Sequence, residues 1–219
     1  MDGICYIVGS RPPGEIVLAA GREALVIAAD GGLRHLEDQG LRPDLIVGDF
    51  DSLGRAPQGD NVLRHPVEKD DTDMLLAVRT GLDRGYGTFV LYGGLGGRLD
   101  HTLANLQTLQ FLAGRGASGW LLGEGMAVTA VSGGGALSFG PERRGIVSVF
   151  CAGPDAEGVC LEGLHYPLSN AVLTSAFPLG VSNQFTGRPA RISLERGTLL
   201  VMWEESAASV VSRLASSPS

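Results

Sequence analysis

Aspartates stand at four places where short apolar runs give way to turns. Asp30 closes LVIAAD, Asp49 and Asp51 sit in LIVGDFDS, Asp70, Asp71 and Asp73 lie in EKDDTDM, and Asp100 follows GGLGGR. Carboxylates grouped without a cysteine–histidine cluster are hard oxygen donors. They suit Mg²⁺, which keeps several waters and also binds substrate phosphates. Any one of these residues is equally well explained as a helix cap or turn residue. The set carries the functional reading, because like charges gathered on one edge repel unless a cation neutralises them.

The stretch YGGLGGRLDH, residues 92–101, lies between an apolar run and a helical pattern. Backbone N–H groups and a helix N-terminus hold phosphate at such a junction, and a tight strand–helix turn uses the same residues. Arg98 inside it favours phosphate, since a guanidinium beside glycines offers bidentate contact. The chain contains no Gly-Lys pair, which excludes a Walker-type phosphate loop. Lys69, the one lysine in the chain, stands in EKDDTD and serves either a nucleotide or its acidic neighbours.

These residues need a scaffold that brings strand ends together. ICYIVG (4–9), LVIAAD (25–30), LIVGDF (45–50), VLRHPV (62–67) and TFVLYGG (88–94) read as strands. Helical patterns follow over 15–24, 32–40, 71–85 and 100–116, the last with Leu103, Leu106, Leu109 and Leu112 on its buried side. Alternating β and α elements with near-continuous apolar strands imply a mainly parallel sheet covered on both faces. Ligands of such sheets bind at the carboxyl ends of the strands, where the aspartates lie. Beyond residue 125 the pattern changes to short β runs with turns between them, an all-β sandwich-like domain. The small, polar segment from Ser206 to Ser219 reads as a frayed end. The expected domains are 1–124, α/β, and 125–219, β-sandwich.

Of 219 residues, 24 are acidic and 17 basic, a net charge of −7, which argues against general affinity for nucleic acid or anionic membrane. Twelve of the 13 aspartates fall in the first 100 residues. Three widely spaced cysteines make no disulfide framework, no apolar run reaches membrane-spanning length, and a cytoplasmic location is expected.

ADGG (29–32), PDLIVGDFDSL (43–53), EKDDTDM (68–74), GGLGGRLDHTLANLQTL (93–109) and GVSNQF (180–185), in this order, resemble the thiamine pyrophosphokinase family over nearly the whole chain. The resemblance implies an α/β domain that binds ATP and Mg²⁺ and carries the catalytic groups. It also implies a β-sandwich that binds thiamine and dimerises, with active sites at the interface of a homodimer. The implied reaction moves the pyrophosphoryl group of ATP to the hydroxyethyl oxygen of thiamine and releases AMP. Carried over by position, Asp49, Asp51, Asp73 and Asp100 hold the metal and, with Arg98, carry catalysis. Asp30, Gly31, Lys69, Asp70, Thr72, Gly96, Gly97 and His101 bind ATP, and Ser182, Asn183 and Tyr166 bind thiamine. Asp71 falls at a variable position, and Asp71, Asp73 and Asp100 all remain open as the base. The start GSRPP departs from the family pattern, so Gly9, Ser10 and Arg11 are not carried over as nucleotide contacts. Alternatives are a related pyrophosphokinase acting on a pterin alcohol and a metal-dependent phosphohydrolase.

Overall fold

The computed structural model of the protein describes residues 3–20, 22–48, 59–64 and 71–216. Six strands, β1 (Ile4–Val8), β2 (Ala24–Ala29), β3 (Leu45–Gly48), β4 (Val62–Arg64), β5 (Thr88–Tyr92) and β6 (Ser118–Gly123), pair in parallel in the order β6-β5-β1-β2-β3-β4. Their side chains alternate between two cores, as a pleated strand requires. Ile4, Tyr6 and Val8 enter one core, and Cys5 and Ile7 enter the other. The second core is roofed by α2 (Asp73–Asp83) and α3 (Leu99–Ala113), through Met74, Ala77, Val78, Leu109 and Leu112. On the first face lies α1 (Gly32–Asp38), which ends before Gly40 in the left-handed conformation.

The sheet does not stop where the composition changes. β7 (Met126–Ser132) turns back antiparallel on β6, and β14 (Thr198–Glu204), β9 (Ile146–Cys151) and β12 (Gly180–Gln184) extend the same sheet to ten strands. Four further strands form a second, antiparallel sheet in the order β11-β10-β13-β8: β8 (Ala136–Phe139), β10 (Asp155–Glu162), β11 (Leu168–Thr174) and β13 (Ala190–Ser193). One core runs from Tyr6 and Val8 to Ile192, Phe185 and the fully buried Trp203, joining the parallel and antiparallel regions. No helix among the described residues is long and apolar enough to cross a membrane.

Three local expectations are corrected. Residues 15–20 form no helix. The Ile16 N–H donates to Gln39 Oε1 (2.9 Å) and the Ala19 N–H to Tyr6 Oη (2.9 Å). Tyr92 Oη accepts from the Val17 N–H (3.2 Å) and donates to the Val17 carbonyl (2.8 Å). Side chains rising from the sheet thus satisfy a backbone that a helix would have satisfied internally. On α3 the buried face is Asn105, Thr108, Leu109 and Leu112, so Leu103 is exposed and the stripe is rotated from the leucine repeat. The C-terminal segment is also ordered. It forms α4 (Ala207–Ser216) with Val210 and Val211 buried, and Ser206 Oγ caps it by accepting from the Ser209 N–H (3.3 Å).

Candidate active site

A cleft of about 380 Å³ opens at the carboxyl ends of β1, β2 and β5. Gly9, Ser10 and Arg11 from the end of β1, Asp30 after β2, and Thr72, Asp73 and Met74 at the start of α2 line one part of it. Gly93, Gly94, Gly96, Arg98, His101 and Asn105 line the other. It is the edge at which open parallel sheets bind ligands.

Each wall has a local cause. Asp30 adopts φ +47°, outside the strand conformation, and its Oδ2 accepts from Ser10 Oγ at 3.2 Å. Thr72 caps α2 by accepting from the Leu75 N–H at 3.3 Å, which sets Asp73 in the first turn, where a carboxylate is favoured by the helix dipole. Asp71 points elsewhere. It pairs with Arg79 at 2.9 Å and is absent from the cleft wall, which agrees with its variable position.

The glycine-rich loop is held from below. Asn105, buried in α3, donates from Nδ2 to the Gly94 carbonyl at 2.8 Å, and a side chain at Gly94 would collide with that amide. Gly96 and Gly97 both have positive φ, +77° and +68°, which a tight strand-to-helix turn requires. Arg98 and Asp100 form a bidentate pair on the surface, Nε to Oδ1 3.1 Å and Nη2 to Oδ2 2.6 Å. The Arg98 guanidinium, with the His101 backbone N–H at 3.0 Å, holds the Asp100 carboxyl below its usual value and ionised. His101 supports Asp100 through its backbone rather than its imidazole.

The expected thiamine element lies elsewhere in the sheet. Ser182 and Asn183 are on β12, six strand positions from β1, while β12 runs in the same direction as β1. Asn183 is buried, with its amide occupied: Oδ1 accepts from the Tyr166 and Gln184 N–H groups (both 2.9 Å), and Nδ2 donates to the Tyr166 carbonyl (2.7 Å). Its role is to hold the turn that presents Tyr166, whose ring is 61% exposed and so is not sandwich core. Ser182 is exposed, at φ +58°.

The structure thus gathers Asp30, Thr72, Asp73, Gly96, Arg98 and His101 on one cleft wall, with Asp100 paired to Arg98 and Gly97 beside them. Gly31 sits behind Ser10 as the N-cap of α1, and Asp49, Asp51, Lys69 and Asp70 lie outside the described residues. Gly9, Ser10 and Arg11, which were not carried over as nucleotide contacts, line the cleft from the end of β1.

Comparison with known proteins decides the family. Residues 19–117 match "Thiamin pyrophosphokinase, catalytic domain" and residues 140–199 match "Thiamin pyrophosphokinase, vitamin B1 binding domain". The chain belongs to the thiamin pyrophosphokinase family. A thiamine pyrophosphokinase of Bacillus subtilis is 28% identical over 184 residues, 81% of this chain and 86% of the relative. The thiamin pyrophosphokinase crystal structure from Geobacillus thermodenitrificans superposes with a TM-score of 0.75 at 25% identity, covering 94% of this chain and 99% of that one. The family fold persists in the Candida albicans thiamin pyrophosphokinase, with a TM-score of 0.71 at 14% identity over 93% of this chain and 89% of that one. The cleft residues from Asp30 to Asn105 fall inside the catalytic match, Gly9, Ser10 and Arg11 precede it, and Tyr166, Ser182 and Asn183 fall inside the vitamin B1 binding match.

Proposed function

We propose that this thiamin pyrophosphokinase binds ATP in the cleft at the carboxyl ends of β1, β2 and β5. There it transfers the β,γ-pyrophosphoryl group to the hydroxyl of thiamine, giving thiamine diphosphate and AMP. The observation that carries the reading is the meeting of Asp30, Asp73 and the Gly93–Arg98 loop in one cleft within a chain that matches both family domains. Transfers of this kind depend on positioning and charge neutralisation more than on covalent work by the protein.

The donors in the cleft are carboxylate, hydroxyl and backbone oxygens, and among the described residues no group of three His, Cys, Asp or Glu forms a protein-only cage. That set fits Mg²⁺, which uses one or two carboxylates together with phosphates and water. Asp73 and Asp100, with Asp49 and Asp51 from the family pattern, would hold it. Held by these residues, Mg²⁺ would supply positive charge against the phosphates as charge develops during transfer. The glycine loop contributes backbone N–H groups, Arg98 keeps Asp100 ionised and oriented, and Asp73 or Asp100 takes the proton of the thiamine alcohol. Tyr166 offers a ring face to a cationic substrate, an arrangement favourable by cation–π attraction.

Two chains are needed to bring these parts together. Six strand spacings at about 4.8 Å separate β12 from β1, on the order of 29 Å, more than thiamine spans. Among the described residues eight large apolar side chains are exposed. Six of them, Ile146, Tyr166, Val172, Phe177, Leu179 and Val181, flank the β9–β12 edge, and the other two, Leu99 and Leu103, flank Asp100. Joining these patches between two copies buries both and carries Tyr166 to the cleft, which supports a homodimer with shared sites.

With ATP, Mg²⁺ and thiamine, AMP and thiamine diphosphate should appear in equal amounts. AMP formation indifferent to thiamine, or ADP as the product, would overturn the reading. Mixing inactive Asp73→Asn with inactive Tyr166→Ala should restore up to about a quarter of wild-type turnover, from heterodimers that keep one intact site. No recovery after confirmed subunit exchange would place each site within one chain.

A further inference from the structure

Two guanidinium groups line the cleft, and they are differently occupied. Arg98 is bound through both Nε and Nη2 to Asp100. Arg11 is half-buried, lines the same cleft, and makes no ion pair among the described residues. Its backbone is fixed at the end of β1: the Gly9 N–H donates to the Tyr92 carbonyl at 2.8 Å and the Arg11 N–H to the Gly93 carbonyl at 3.2 Å. Pro12 follows, which confines Arg11 to extended backbone.

The loop opposite is shaped around this residue. A Cβ at Gly93 would press on the Arg11 and Gly9 carbonyls, and a Cβ at Gly97 would occupy the place of the Arg11 guanidinium. The guanidinium therefore lies directly against the Cα of Gly97, level with the backbone of the loop that cradles phosphate. A planar five-donor fork held there by the backbone and without a carboxylate is built for phosphate oxygens.

We propose that Arg11 is the cation that grips the phosphate chain of the nucleotide, while Arg98 acts as a positioning residue through Asp100. The assignment rests on the reading that ATP occupies this cleft.

The test is binding of α,β-methylene-ATP, in which the bond broken on transfer is blocked, with Mg²⁺ and no thiamine, compared with binding of adenosine. Arg11→Ala should weaken the analogue about ten- to hundredfold, the loss of one charge-assisted contact, and leave adenosine unchanged. Arg11→Lys, which keeps charge without the fork, should fall between wild type and Arg11→Ala and remain folded by thermal melting. In turnover the KM for ATP should rise in both variants and that for thiamine should stay constant. Unchanged binding of the analogue in Arg11→Ala, or equal losses of the analogue and adenosine in folded Arg11→Lys, would overturn the assignment. Wild-type protein that binds the analogue through Arg11 but forms no thiamine diphosphate would refute the proposed reaction while leaving the Arg11 contact in place.

Discussion

Arginine meets carboxylate twice in this protein, in opposite surroundings. At the cleft, Arg98 and Asp100 face each other with side chains 65% and 63% exposed. Behind the antiparallel half, the Glu205 carboxylate is 0% exposed and is surrounded by Arg143, Arg213 at 2.8 Å, the Trp203 indole N–H at 2.6 Å and the Ser209 hydroxyl. The first pair costs little to separate and leaves its carboxylate within reach of ligands. The second is a network around a buried carboxylate, which accepts from all four of these groups. The residue types are the same, and burial divides reactive chemistry from architecture.

Removing the centre of the buried network is the most severe way to break this contrast. Glu205→Ala removes the carboxylate shared by Arg143, Arg213 and the Trp203 indole N–H and loosens α4, which Ser209 and Arg213 tie to Glu205. A loss of about 3–5 kcal/mol is expected in urea unfolding, with the residual folded protein still active. A loss below about 1 kcal/mol would show that the cluster is solvated in solution.

Asp73→Asn strikes the cleft with the reverse signature. Turnover should fall by about two to three orders of magnitude, as on removing a group that stabilises transition-state charge. The melting temperature should fall far less than turnover does, the neutral amide forfeiting the attraction of the helix dipole, about 0.3–1 kcal/mol. Equal losses of stability and turnover would reduce Asp73 to a capping residue.

What the sequence made legible follows the same division. Asp30 and the glycine loop were readable together because chain order and strand direction place both at the carboxyl ends of the parallel strands that neighbour β1, while Asp49, Asp51 and Asp70 lie outside the described residues. The helix at 15–24 failed because its competitors, Tyr6, Tyr92 and Gln39, come from distant segments, and local propensity knows nothing of them. The burial of Glu205 is not legible locally, since the arginines that pair with it lie 62 residues before and 8 after. Arg11 was set aside because GSRPP departs from the family pattern, and its place against Gly97, 86 residues further on, is not visible in the local sequence. Asn183 was read as a ligand contact, and the bonds from its amide to the Tyr166 backbone come from a residue 17 positions away, which the local sequence does not show.

Asn105 stands between the two regimes, a buried amide serving an exposed loop. Asn105→Ala leaves the Gly94 carbonyl without its donor and should cost about 1–3 kcal/mol in denaturant unfolding. Because the loop it steadies binds phosphate in the proposed site, the KM for ATP should rise with it. A stability loss without a change in KM would separate the loop from the nucleotide.

The smallest expected effect sharpens the exposed pair. Hydrogen bonding from Arg98 lowers the Asp100 carboxyl, so Asp100 stays ionised further into acid than an ordinary aspartate. A depressed carboxyl adds stability at neutral pH that fades as the pH falls through its folded value. With both partners fully in solvent that contribution is screened, and Arg98→Ala should leave the melting temperature at pH 7 unchanged. Activity should respond instead. Without the guanidinium the Asp100 carboxyl returns upward toward its usual range, so the acid limb of kcat/KM moves to higher pH while the alkaline limb stays in place. Arg98→Lys should restore part of that shift, since it keeps the charge but not the two-bond geometry. An acid limb identical in all three proteins would mean that Asp100 ionisation does not limit turnover, and would return Arg98 to the phosphates.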